Sequence, residues 1–319
     1  MDSTIALKVE RVDAITPRIN RLVLSGATVS ALSYEAGAHI ELHVPPVSAG
    51  GAKLHRAYSL VRPSCQAGTL EIAVQLEEPS SGGSKWVHQL KAGDALAANA
   101  PSNHFPLHGA QTRPLLIAAG IGITPILCMA LSLKDSGLPF DMHYVARDAE
   151  QAAYAQEVEA LPGARCWFDG GDPARRVDLR EVIGAPEGGR HLHVCGPKGF
   201  IEATLATARE LGWPEEQLHC ELFVGSLQGA SDKPFTVELK AAGITLDVPT
   251  GKTVMDVMEE AGLDPMFDCR RGDCGICVAK VLQGEADHRD ICLSAKDHQA
   301  GSFCICVSRA RSDHLVLDL

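Results

Sequence analysis

The sequence predicts a multidomain chain: an antiparallel β-barrel, then an α/β domain on a parallel sheet, then a small α+β unit. Three observations carry this prediction. Residues 5–106 hold short strand-like stretches separated by Gly- and Pro-containing turns. A continuous apolar run, Leu115-Leu-Ile-Ala-Ala119, leads straight into a glycine turn. A hairpin pattern from Phe235 leads through a helical stretch, residues 253–262, to a loop with cysteines at 269, 274 and 277. A chain of 319 residues also exceeds what one hydrophobic core usually serves.

Composition narrows the possibilities. The net charge of -11, from 29 basic and 40 acidic residues, disfavours nucleic acid, because phosphate binding needs basic surface. An acidic face on the last unit could steer it toward a basic patch on a partner, or serve solubility alone. Apolar residues make up 45%, no run approaches a membrane span, and Met-Asp-Ser-Thr-Ile-Ala lacks a basic patch leading into an apolar stretch. The expectation is a cytoplasmic, monomeric protein with no membrane partner. Eleven cysteines, an odd number in a long chain, argue for a reducing compartment rather than a disulfide framework. Cys65, Cys128, Cys166, Cys220 and Cys292 read as small apolar residues.

In the first element, Arg21-Leu-Val-Leu-Ser and the alternating Ile40-Glu-Leu-His-Val44 have strand character. Arg56-Ala57-Tyr58-Ser59 follows, and Gly82-Gly83-Ser84 opens a short helical stretch. Alone, the tetrapeptide fits a surface strand with a salt-bridged arginine. Together, the two segments offer a bidentate guanidinium and backbone N–H groups at a helix start, both suited to phosphate. His55, His88, His104 and His108 are assigned no chemistry.

In the second element, strand, glycine turn and helix follow in order through Gly120-Ile-Gly122-Ile-Thr124-Pro125. Pro125 occupies the last position of the usual G-x-G-x-x-G fingerprint, so the pattern departs from the standard one. Thr124 is expected as the N-cap and Pro125 as the first helical residue. Such a turn presents backbone donors to a pyrophosphate. A second strand, 141–147, precedes a helix over 150–161, and a strand ending in Cys195-Gly196-Pro197 precedes a helix over 198–211. Strand and helix in alternation mean a parallel sheet.

The third element carries the strongest spacing. Cys269-x4-Cys274-x2-Cys277 with a distant fourth cysteine is the plant-type arrangement for a [2Fe-2S] cluster. Gly272 and Gly275 would let backbone N–H groups turn toward the sulfurs. A structural zinc site from Cys274, Cys277, Cys304 and Cys306 is the rival, but it leaves Cys269 and the glycines unexplained. Spacing admits either Cys304 or Cys306 as fourth ligand, with 26 or 28 residues after Cys277; Cys306, within Cys-Val-Ser-Arg-Ala, is chosen. Arg270, Arg271 and Asp273 are expected to be exposed.

Cys269 to Cys277 together with Cys306-Val-Ser-Arg resembles the ferredoxin domain of the phthalate dioxygenase reductase family, and five ordered motifs extend the resemblance over nearly the whole chain. It implies an antiparallel β-barrel flavin domain (1–107), an α/β parallel-sheet nucleotide domain (108–228) and an α+β β-grasp ferredoxin domain (229–319). It further implies FMN held by Arg56, Ala57, Tyr58, Ser59, Gly82, Gly83 and Ser84, with Tyr58 against the ring and Ser59 near its reactive nitrogen. The nucleotide would meet Gly120, Gly122, Thr124 and Pro125, and then Cys195, Gly196 and Pro197. Glu221 and Phe223 match the E-x-F that closes the family's nucleotide domain, with Phe223 as a cover for the flavin or a core residue. The implied cluster ligands are Cys269, Cys274, Cys277 and Cys306. Asp148 and Asp169 would repel a 2′-phosphate despite Arg147, which favours NADH. No Ser-His-Asp set, paired carboxylates or facial triad emerges, so substrate oxidation falls to a separate protein. The resemblance thus implies a reductase component feeding a Rieske-type oxygenase that acts on an aromatic compound. The alternatives are a cytochrome P450 as acceptor, or a non-enzymatic zinc protein.

Overall fold

The computed structural model describes residues 4–45, 54–64, 68–78, 82–223, 232–267, 270–272 and 274–319. Cys65, Cys269, Asp273 and the expected domain boundary at 228/229 lie outside these residues. The chain divides into two compact units, 1–221 and 222–319. No helix among the described residues is long and apolar enough to cross a membrane.

The first unit opens with a six-stranded sheet in the order β4-β3-β6-β1-β2-β5. Its strands are β1 (Thr4–Thr16), β2 (Ile19–Ser25), β3 (His39–Val44), β4 (Leu54–Ser59), β5 (Thr69–Gln75) and β6 (Ala95–Asn99), with helix α1 (Gly83–Val87) before β6. β1 pairs antiparallel with β2 and β6, β2 with β5, and β3 with β4 and β6. Alternation turns Ile5, Leu7 and Val9 of β1 inward, and Leu22 and Leu24 of β2 join them in one core. The sheet closes on itself where Leu60, just past β4, bridges Ile72 of β5 and Val61 N donates to Glu71 O at 3.0 Å. Closure removes the exposed edges that a flat sheet would leave, giving the expected barrel.

The same unit continues as a five-stranded sheet in the order β11-β10-β7-β8-β9. Its strands are β7 (Leu115–Ala119), β8 (Asp141–Ala146), β9 (Ala164–Phe168), β10 (Leu192–Gly196) and β11 (Leu218–Leu222). Helices α2 (Ile123–Asp135), α3 (Ala155–Glu159), α4 (Leu179–Ile183) and α5 (Lys198–Glu210) connect them. β10, β7, β8 and β9 run parallel, and every residue of β7 is buried, as a central parallel strand requires.

Two helix starts differ from the sequence expectation. Gly120–Gly122 already winds as a 3-10 turn, so α2 begins at Ile123 with Gly122 at its N-cap. Thr124 is therefore not the cap; its Oγ1 donates to Ile121 O at 3.1 Å inside the first turn. Pro125 is the third helical residue, where the N–H has no intrahelical partner to lose. The helix expected over 150–161 shrinks to α3, because Tyr154 is left-handed (φ 61°) and its hydroxyl donates to Glu71 of the barrel at 3.0 Å. Arg62 completes this contact, binding Glu157 of α3 at 2.5 Å and Glu71 at 3.1 Å. The barrel and the parallel sheet are thereby held as one body.

Four histidines gather where the barrel's exit segment meets β10 and β11. His108 stacks on His219 (4.3 Å between ring centres), His193 lies 4.7 Å from His219, and His191 Nδ1 is 2.7 Å from His219 Nε2. Burial, then His108 and His191, push His219 down to about 4. Burial also lowers His191 and, with its histidine neighbours, the fully buried His193; Glu216 opposes this at His191. The unfolded chain takes up these protons first, from the ordinary histidine value downward, so stability falls as pH drops from about 6.5 toward 4. A series of melting temperatures should show this loss, and His219→Gln should make it shallower.

The second unit holds a five-stranded mixed sheet in the order β13-β12-β18-β14-β16. Its strands are β12 (Phe235–Leu239), β13 (Ile244–Val248), β14 (Val278–Gln283), β16 (Ser302–Cys304) and β18 (His314–Leu317), with the short pair β15 (Ala286–Asp287) and β17 (Arg309–Ala310) beside it. Helix α6 (Val254–Glu260) starts at a capping box, Thr253 and Asp256 each bonding the other's backbone N–H, and α7 (Ala295–Gln299) repeats the device with Ser294 and Asp297. β12 runs parallel to β18 and antiparallel to β13, the arrangement of a β-grasp. Asp232 is buried at the start of this unit and gripped by Arg289 at 2.6 and 3.1 Å, with Arg309 at 3.6 Å.

Candidate functional site

Three constellations emerge, two in the first unit and one in the second. In the barrel, β4 carries Arg56-Ala57-Tyr58-Ser59 and α1 begins at Gly83 after Gly82, whose φ is 109°. A Cβ on Gly83 would stand 2.8 Å from Arg56 Cγ and 3.3 Å from the Tyr58 hydroxyl, so these three residues meet in space. Burial pushes the Tyr58 phenol up to about 12, opposed by Arg56, which keeps the ring neutral. Ala57 is exposed, and Ser84 Oγ accepts from Glu77 N at 3.1 Å. Alternation along β4 puts Ser59 on the face opposite Tyr58 and Leu60, away from the barrel core, where it is nevertheless buried. Its hydroxyl donates to the buried Glu221 carboxylate of β11 at 3.4 Å.

The second constellation is the topological switch point of the parallel sheet, between β7 and β10, where such sheets bind ligands. Here the Gly120–Gly122 turn meets Cys195-Gly196-Pro197. A Cβ on Gly122 would lie 2.3 Å from Cys195 O, and one on Gly196 would lie 2.8 Å from Ala119 Cβ. Only glycine permits these strand ends to close on each other. Cys195 is fully buried in β10, Thr124 and Pro125 line the buried first turn of α2, and Pro197 is extended and starts α5. At the far edge, Gly170 N donates to Arg147 O at 2.7 Å, joining the ends of β8 and β9. Asp169 caps that turn by accepting from Gly171 N at 2.7 Å, and Asp148 accepts from Gln151. Phe223 follows β11 as a half-buried residue at the start of the second unit.

The third constellation is the cysteine loop. Cys274 is exposed, whereas Cys277 and Cys306 are buried with their sulfurs 3.1 Å apart. Cys304 also lies in hydrogen-bonding contact with Cys277, and its sulfur is 3.5 Å from that of Cys292. Gly272 and Gly275 have φ near +75°, which a side chain would strain, and a Cβ on Gly272 would strike Val307 at 2.6 Å and Asp290 Cα at 3.0 Å. Arg270 is exposed and pairs with Glu259, while Arg271 is half-buried, against expectation.

The bracing beneath this loop was not anticipated. Ile291 N and Cys292 N donate to Gly272 O at 3.0 and 3.3 Å, and the buried Asp290 accepts from Ser308 Oγ at 3.2 Å. Ser308 belongs to the Cys-Val-Ser-Arg segment, so its hydroxyl was the signal available for finding Asp290.

These residues suit the groups expected of them. Paired buried sulfurs under a glycine loop fit a cluster better than a plain core, and an arginine beside a glycine-started helix fits a phosphate.

Comparison with known proteins agrees with this geometry. Residues 6–106 match the oxidoreductase FAD-binding domain and residues 237–311 the 2Fe-2S iron-sulfur cluster binding domain. The vanillate O-demethylase oxidoreductase of Pseudomonas sp. (strain HR199 / DSM 7063) is 40% identical over 291 residues, 89% of this chain and 90% of that protein. The phthalate dioxygenase reductase of Burkholderia cepacia is 34% identical over 294 residues, covering 90% and 88%. A solved phthalate dioxygenase reductase, described as a modular structure for electron transfer from pyridine nucleotides to [2Fe-2S], superposes with a TM-score of 0.74 at 31% identity, covering 100% of this chain and 98% of its own. With barrel, switch point and cysteine loop in the same order along its length, the chain belongs to the phthalate dioxygenase reductase family, flavin and [2Fe-2S] oxidoreductases that supply electrons to oxygenases.

Proposed function

We infer that the chain takes electrons from NADH through FMN and a [2Fe-2S] cluster to a separate Rieske-type non-haem iron oxygenase acting on an aromatic compound, as a monomer in the cytoplasm. The observation that carries this reading is the Cys277–Cys306 sulfur pair, built into the same chain as a glycine-closed nucleotide switch point. The aromatic substrate rests on the relatives named for vanillate and phthalate. FMN rests on the domain order: flavin (1–107), nucleotide (108–228) and ferredoxin (229–319).

When bound, the flavin converts hydride transfer into single-electron transfer and the cluster stores one electron at a time. The chain's own residues bind and orient. Arg56 holds phosphate through its guanidinium, and Tyr58 supplies a neutral ring wall. The Ser59 hydroxyl, its proton donated to Glu221, offers a fixed acceptor where the barrel meets the parallel sheet. Gly120, Gly122, Thr124 and Pro125 build the glycine turn and the positive start of α2 against which a pyrophosphate would lie, and Gly196 opens space beside buried Cys195 for the nicotinamide. Asp169 beside Arg147 disfavours a 2′-phosphate, which supports NADH. Cys269, Cys274, Cys277 and Cys306 supply the four thiolates.

An anaerobic visible spectrum before and after NADH tests the path, with flavin and iron-sulfur bands both expected to bleach. A colourless protein, or one with flavin alone, would return the cysteines to zinc. Turnover of a purified Rieske oxygenase by NADH and this protein tests the acceptor; transfer to a haem monooxygenase instead would overturn it. Arg56→Ala should leave the barrel folded but lower the flavin retained through purification about tenfold, in line with the loss of one charge-assisted phosphate contact. Flavin content per protein, and the mass of the extracted flavin, check both the phosphate role and FMN.

A further inference from the structure

The large apolar side chains that stand exposed among the described residues are confined to one stretch of the second unit. They are Met266 (78% exposed), Phe267, Ile276 (50%), Val278 and Leu282. Met266 and Phe267 lead into the cysteine loop, Ile276 sits between exposed Cys274 and buried Cys277, and Val278 and Leu282 lie on β14 as it leaves the loop. Arg270 lies over one face of the Phe267 ring at 4.0 Å and is held there by Glu259, which leaves the ring 38% exposed. Asp264, two residues before Met266 in the chain, is exposed.

An apolar surface around an electron exit is costly to leave in water and marks a contact made in function. Two partners must reach the cluster: the flavin, which belongs to the same chain, and an acceptor. A tethered partner meets the cluster at an effective concentration in the mM range and needs no adhesive surface. A free protein must be captured from dilute solution, and the cores of such interfaces are poor in charge and rich in Met and aromatic residues. Residues 232–319 contain ten basic and fifteen acidic residues, so a rim of Lys and Arg on the partner is complementary.

We propose that Met266, Phe267, Ile276 and Val278 form the docking surface for the separate oxygenase, which presents an apolar patch edged by basic residues. This rests on the proposed function, and the test separates the two. Full-length holoprotein carrying Met266→Ser, and a second form carrying Met266→Ser with Ile276→Ser, are compared with the unaltered protein. The readouts are NADH-driven bleaching of flavin and cluster, and turnover of the oxygenase component of a vanillate O-demethylase as reductase concentration rises. Expected are unchanged bleaching, unchanged turnover at saturation, and a half-saturating reductase concentration raised about tenfold in the double variant and less in the single one. Absent turnover with the unaltered protein overturns the choice of partner, and the surface with it. Turnover with an unshifted half-saturation overturns the surface alone. Slowed bleaching reassigns the surface to the chain's own flavin domain. A dimer that the double variant breaks into monomers reassigns it to a second copy of the chain.

Discussion

Cys274→Ser protein should bleach its flavin with NADH at the unaltered rate while reduction of a one-electron acceptor protein falls to background. Cys274 is exposed, so exchanging its sulfur for oxygen removes no buried apolar contact and leaves the fold standing. What it removes is one of the proposed thiolates, and a hard hydroxyl is a poor replacement on iron. Cys306→Ser should give the same split between intact hydride uptake and lost delivery. Cys304→Ser is the discriminating control: its sulfur contacts both Cys277 and Cys292, and with Cys306 as the fourth ligand cluster absorption and delivery should survive. Iron content, visible absorption and the two rates, measured on one preparation each, decide the ligand set. A Cys304→Ser protein without a cluster would reverse the assignment of the fourth thiolate.

Gly122→Ala should have the opposite signature, with slow flavin bleaching by NADH and a normal cluster. The added methyl would sit 2.3 Å from Cys195 O and 2.7 Å from Gly196 N, both backbone atoms, so no side-chain rotation relieves it. The ends of β7 and β10 must part, which displaces the proposed nicotinamide wall. A displacement on the order of 1 Å from a near-attack geometry costs about 100-fold in rate. Stopped-flow bleaching with NADH measures this loss, while reduction by dithionite should remain complete and report an intact flavin and cluster. Equal bleaching rates in variant and unaltered protein would remove the switch point from the hydride path.

The glycines of both loops, the fully apolar β7 and the cysteine spacing were legible because each is a local requirement written in adjacent residues. The barrel was legible as a class through the alternation of Ile40, Leu42 and Val44. The cap of α2 was not: Thr124 and Pro125 satisfy the usual rule, but the preceding glycines adopt helical turn geometry first and start the helix two residues earlier. The length of α3 was also hidden, since the left-handed Tyr154 answers to Glu71, 83 residues away in sequence. Cys304 and Cys306 differ by two positions, and spacing cannot say which is the ligand; both sulfurs lie against Cys277, Cys306 at 3.1 Å, so the choice of Cys306 rests on the Cys-Val-Ser-Arg segment. Asp290 escaped notice because its partners, Gly272 and Ser308, are brought to it only by tertiary folding.

The charged knot of Arg62, Glu71, Tyr154 and Glu157 bears on how this chain can be recombined. Grafting a barrel from another reductase onto this parallel sheet would leave Glu157 facing a foreign side chain, and the reverse graft would strand Arg62 and Glu71 in a partly dry seam. Residues 1–221 therefore form the smallest exchangeable cassette of the first unit, inherited whole, and a chimaera cut between barrel and sheet must carry both halves of the knot across the splice.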